Sequence, residues 1–181
     1  MLVTFTRLSA DGNLGVRAVC DDGVVLAIEG YTRKGYIPHD MAHFVGEQAF
    51  GVTTGFWGSV ADGALFKSLR VTSGKLRHDA WARSKALLKA NAEGLRLGEL
   101  IGGPAYEAVA RGWDIETAYK ALVRTWVHFG PKPLPYDRDV LRNAITAFTE
   151  AREQWQSTPV GGELALTWRQ QRASSSRRQL R

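Results

Sequence analysis

The chain has 181 residues, of which 44% are apolar and 23% charged, with one cysteine and a formal net charge of +6. That length suffices for one packed core, and the composition excludes wholesale disorder, a disulfide-stapled scaffold and, for want of a long apolar run, a bilayer-spanning helix. Five arginines and no acid lie between 169 and 181, so most of the excess charge belongs to the end of the chain.

The first residues, Met1-Leu2-Val3-Thr4-Phe5-Thr6-Arg7, lack the basic segment and long apolar core of a secretory signal, and Cys20 has no partner for an intramolecular disulfide. Both features fit a cytoplasmic protein. Val3 and Phe5 alternate with Thr4 and Thr6, Val16, Ala18 and Cys20 with Arg17 and Val19, and Val24, Leu26 and Ile28 with Val25 and Ala27. This period of two, interrupted by Asp11-Gly12-Asn13 and Asp21-Asp22-Gly23, predicts a three-stranded antiparallel meander.

From Pro38 the period becomes helical. Proline suits a first helical turn, and this helix is expected to run to about Phe50 and stop at Gly51. A second, rich in small residues and expected to be buried, covers about 54–66. A third is predicted over roughly 76–100, with Trp81, Leu88 and Leu95 at heptad spacing, and ends at Gly102-Gly103-Pro104. A short helix follows Pro104, another starts at the capping residue Asp114, and the last spans about 137–156 with Leu141, Ile145, Phe148 and Trp155 inward.

After Gly161-Gly162, the alternation of Leu164, Leu166 and Trp168 predicts a strand whose natural partner is the N-terminal meander. The expected architecture is thus α+β: a small antiparallel sheet drawn from both chain ends, packed against about five helices. Residues 1–168 form the domain, and 169–181 read as a basic, disordered tail. No aromatic residue interleaves the tail arginines, so sequence-specific nucleic-acid binding is not expected.

The chemistry concentrates in Pro38-His39-Asp40-Met41-Ala42-His43-Phe44-Val45-Gly46-Glu47. At about 100° per helical residue, His43 stands about 40° from His39, Glu47 about 80° and Asp40 about 100°, so all four share one stripe. Two imidazoles with two carboxylates suit a borderline divalent cation such as zinc. Glu47 lies about 12 Å along the axis from His39, too far for easy joint ligation, so a residue from elsewhere is needed. Asp62, on the helix expected to be buried, is the strongest outside candidate because an uncompensated carboxylate there would be costly.

The spacing His39-Asp40-x-x-His43 resembles the His-Glu-x-x-His helix of zincin metalloproteases. That resemblance implies that His39 and His43 bind zinc, with Asp40 in the place of the acid that activates the bound water. Aspartate is shorter by one methylene, which also suits it to ligate the ion or orient a histidine. The run is similar as well to the zinc motif of a largely helical family of ubiquinone-biosynthesis proteins. The further glutamate of that motif falls at Gly55 here, which leaves Glu47 as its substitute.

Two readings follow. In the first, the chain is a metal-dependent hydrolase acting on a small-molecule or peptide substrate. His39, His43 and Asp62 are the metal ligands, Asp40 and Glu47 the catalytic acids, and Phe56 and Trp57 line the substrate pocket. In the second, the stripe is a structural polar cluster in a non-catalytic binding module, and the arginine tail docks on an acidic partner or nucleic acid through salt-sensitive contacts. Bound metal discriminates between them.

Overall fold

The structure is a computed structural model that describes residues 1–10, 13–29 and 35–169; the basic tail from 170 onward lies outside the described residues. The alternating N-terminal residues form strands β1 (Leu2–Arg7), β2 (Leu14–Val19) and β3 (Val25–Glu29), paired antiparallel in succession. Of the two turn signals, Asp11 and Gly12 are outside the described residues. Gly23 in the other adopts φ 83°, the left-handed geometry that glycine tolerates without a Cβ clash.

A fourth strand, β4 (Leu69–Ser73), pairs with β3, and β5 (Glu163–Thr167) pairs with β1, so the sheet order is β4-β3-β2-β1-β5. Joining of the two chain ends is thus as the alternation of Leu164 and Leu166 implies. β4 is an addition, since two apolar residues, Leu69 and Val71, make too short an alternation to stand out. Register aligns Val3 with Ala18 and Leu166, and Phe5 with Val16 and Leu164. Val3, Phe5, Val16, Ala18 and Leu26 are all buried on this face, while Leu2 and Arg17 on the other are exposed. One face is therefore core and the other solvent, the usual economy of an antiparallel sheet.

The helices are α1 (His39–Ala49), α2 (Phe56–Ala61), α3 (Ala80–Ala90), α4 (Ala92–Ile101), α5 (Gly103–Arg111), α6 (Ile115–Trp126) and α7 (Arg138–Ser157). Phe44 of α1 and Trp57 of α2 meet Phe5 edge to face, with ring centroids 6.2 and 6.1 Å away. Trp168 closes the cluster from the far end of the chain, 5.4 Å from Phe44. Asp114 and Asp137 cap α6 and α7 by accepting backbone N–H bonds from Thr117 and from Asp139 and Val140.

The single helix expected over 76–100 is instead two. Asn91 interrupts it at φ −89°, ψ 9°, and its buried side chain donates to Ser59 Oγ at 3.0 Å. Seven residues earlier in the chain, Ser84 Oγ accepts from the Leu65 amide at 2.8 Å, so α3 and α4 are tied to the α2 region by polar contacts rather than by a heptad seam. Trp81, which that seam would have buried, is 62% exposed.

The packing that matters most for the site is the approach of α1 to the α4–α5 junction. A Cβ on Gly46 would lie 3.1 Å from Gly102 Cα, so the two backbones touch where both residues lack side chains. Gly46→Val must push them apart; the expected loss is about 1–3 kcal/mol of stability, read from the urea midpoint.

Candidate metal centre

His39 and His43 project from the first two turns of α1, and their Nε2 atoms lie 3.1 Å apart. The third group comes from α4, where Glu99 Oε2 is 3.6 Å from His43 Nε2. One ligand atom from each of the three falls within 4.8 Å of the others. Glu99 reaches this point because the Gly46–Gly102 contact brings the end of α4 against α1.

The protonation of the pair follows from its surroundings. His43 Nδ1 is 3.3 Å from the Gly98 carbonyl. A carbonyl only accepts, so Nδ1 carries the hydrogen and the neutral ring presents its lone pair at Nε2. Burial depresses the His43 pKa against the pull of Glu99 and so favours that neutral ring. Two bare imidazole nitrogens at 3.1 Å would repel each other. Something positive must lie between them, either a proton on His39 Nε2 or a cation.

Asp40 stands behind the pair. Its Oδ1 is 3.8 Å from His39 Nδ1, and its buried Oδ2 has no hydrogen-bond partner among the described residues. Burial raises its pKa, while the two histidines oppose the rise. The Trp57 indole N–H donates to the Asp40 backbone carbonyl at 2.9 Å, anchoring this turn of α1 to α2.

Glu47 does a different job from the one its stripe suggests. It is fully buried, and its oxygens accept backbone N–H bonds from Phe56, Trp57 and Gly58 at 2.7, 3.0 and 3.4 Å. The carboxylate therefore satisfies the amides that open α2. It also fills the space beside Gly55, where a Cβ would lie 2.4 Å from Glu47 Cδ. No side chain fits at Gly55 while Glu47 is there. Burial pushes the Glu47 pKa up to about 7 even though three amides favour its charged form.

A cavity of about 300 Å³ opens beside the histidines. Its walls include Ile37, Ala42, Tyr106 and Phe148, with Gly102 and Gly103 at the start of α5. No family model, curated protein or solved structure matches this chain.

The remaining sequence candidates lie elsewhere. Phe56 and Trp57 do not line this cavity; Trp57 is fully buried against Phe5 and Phe44. Asp62 is not brought to the histidines either. It is exposed at the C-cap of α2, since that helix ends at Ala61, and it lines a separate cavity with Cys20, Arg77 and Arg83. Cys20 itself is half-buried, with a thiol pKa pushed up to about 11 chiefly by burial, so it stays protonated near neutrality. Glu99 and Tyr106 had no distinguishing sequence signal. The only hint was the glycines at 98, 102 and 103, which mark a close approach without saying to what.

Proposed function

We propose that the chain is a metal-dependent hydrolase whose divalent cation, zinc by the chemistry of its donors, is held by His39, His43 and Glu99. The observation that carries this reading is the 3.1 Å Nε2···Nε2 separation with a carboxylate beside it. Around tetrahedral zinc with bonds of about 2.0–2.1 Å, neighbouring ligand atoms lie about 3.3 Å apart. The histidine pair is already at that spacing. Glu99 Oε2 is 3.6 Å from His43 Nε2, the three donor atoms lie within 4.8 Å of one another, and the Glu99 side chain, 63% exposed, has the freedom to swing in toward both histidines.

Three protein donors leave one position open, and the cavity adjoins it. That layout suits a catalytic rather than a structural zinc, and a bound ion would supply a water acidic enough to act as nucleophile near neutral pH. Gly98 fixes the tautomer of His43, and Asp40 is placed to do the same for His39 through Nδ1. Asp40 is thereby an orienting group in this reading. Glu47, with three amides on its oxygens, holds α2 in place and is not offered as a base.

The test separates the two candidates for third ligand. Equilibrium dialysis against zinc is expected to show at least a tenfold loss of affinity in Glu99→Ala and none in Asp62→Ala. Equal affinity in wild type and Glu99→Ala would remove Glu99 from the site. A wild-type chain that takes up no metal would reduce the cluster to a polar contact between α1 and α4.

A further inference from the structure

Tyr106 lies on the wall of the same cavity, one turn into α5. Its ring is held on two sides: Tyr36 stacks on it at 4.4 Å with planes 19° apart, and Phe148 meets it edge-on at 6.0 Å. The Tyr36 hydroxyl also donates to the Tyr106 backbone carbonyl at 3.1 Å. Its own hydroxyl rests against Gly35, where a Cβ would lie only 2.4 Å from the oxygen. A phenol fixed this firmly, next to a position that accommodates no side chain, is pre-organised at the level of its Oη.

We propose that Tyr106 is a catalytic proton donor of this site and that the substrate class is a carboxylic ester with a compact apolar acyl group. The inference rests on the metal-dependent hydrolase reading above. Ile37, Ala42 and Phe148 give the acyl group apolar walls, and Gly102 and Gly103 leave room for it. In the reaction, water adds to the carbonyl carbon, and Tyr106 O–H hydrogen-bonds to the oxygen on which charge develops. As the carbon–oxygen bond to the alcohol breaks, the departing alkoxide takes the Tyr106 proton. The proton lost by the attacking water passes to bulk solvent and the phenolate takes one back from solvent, so ester and water give acid and alcohol with nothing left over. Burial raises the Tyr106 pKa, against a backbone hydrogen bond from Tyr36, and so keeps the phenol protonated until the alkoxide forms.

A proton donor matters only when the leaving group needs a proton. The experiment therefore compares ethyl butyrate, whose alkoxide is strongly basic, with p-nitrophenyl butyrate, whose phenolate leaves unaided. Zinc-loaded wild type and Tyr106→Phe are assayed on both, with zinc content measured on the same samples. Tyr106→Phe is expected to keep its zinc, to lose about 100-fold in kcat on ethyl butyrate, and to lose under about threefold on the nitrophenyl ester. Gly35→Ala, which displaces the hydroxyl without deleting it, is expected to reproduce that split. Equal losses on both esters, or zinc lost with the hydroxyl, would make Tyr106 structural and overturn the proposal. Zinc-bound wild type that turns over neither ester would overturn the substrate class while leaving the metal reading standing. Failure of wild type to bind zinc would instead strike the reading on which the inference rests.

Discussion

Zinc is expected to fall from near one equivalent in the wild-type chain, purified without an affinity tag and reconstituted, to background in His39→Ala/His43→Ala. Zinc sites of four ligands bind with about 10–16 kcal/mol at neutral pH, or about 3 kcal/mol per ligand, so removal of two costs about 10⁴-fold in affinity. Elemental analysis reads this directly. His39 is half-exposed at the start of α1, so its truncation leaves the core untouched. Wild type should also melt higher with zinc: at 100 times the dissociation constant the ion adds about 2.7 kcal/mol, or about 5–10 °C for a chain of this size. A chelator should reverse the shift, and the double variant should show none. Wild type that remains metal-free and unshifted after reconstitution would sink the metal reading and leave a hydrogen-bonded histidine pair.

Glu47→Ala is expected to be the most damaging single substitution in the site region, at about 3–5 kcal/mol. It removes the acceptor of three amides at the head of α2 and opens a void beside Gly55 and Gly98. For a chain of this length that is a fall of about 6–20 °C in Tm. Glu47→Gln keeps the volume and one acceptor oxygen and should lose less, about 1–3 kcal/mol. The pH dependence has a definite sign. Folding raises the Glu47 pKa from 4.5 to about 7, so the folded state holds a proton that the unfolded state has released. The resulting contribution is fully present below about pH 4.5 and disappears as pH rises through 7; the shift corresponds to about 3 kcal/mol. Urea denaturation at pH 5 and pH 8 should show wild type losing more than Glu47→Gln over that interval. Parallel losses in the two proteins would mean that Glu47 does not titrate between them.

The sheet was readable because a period of two survives in sequence wherever one face of a strand meets the core. Val3, Phe5, Val16, Ala18 and Leu26 carry that pattern, and their partnering followed from short turns. β4 escaped because it lies at the sheet edge with only Leu69 and Val71 turned partly inward. The break between α3 and α4 escaped for another reason. Asn91 has no helix-breaking force comparable to proline, and only its hydrogen bond to Ser59, far away in sequence, makes the interruption worthwhile. Trp81 shows the same limit, since heptad spacing identifies a face but not whether any neighbour covers it.

In the site, sequence by itself determined the local part. His39 and His43 share a helix face because four residues make about one turn, and that geometry needs nothing beyond α1. It could not say which way Glu47 would turn, because the pull on that carboxylate comes from the open amides of α2. Nor could it choose Glu99 over Asp62. Both are carboxylates far from the histidines along the chain, and helical period is silent about distance between helices. The tertiary structure places Glu99 beside the pair through the Gly46–Gly102 contact, where two backbones touch and bring α4 against α1. Short-range periodicity wrote the histidine pair into the sequence, whereas the carboxylate beside it and the cavity wall come together only once helices distant in the chain are packed.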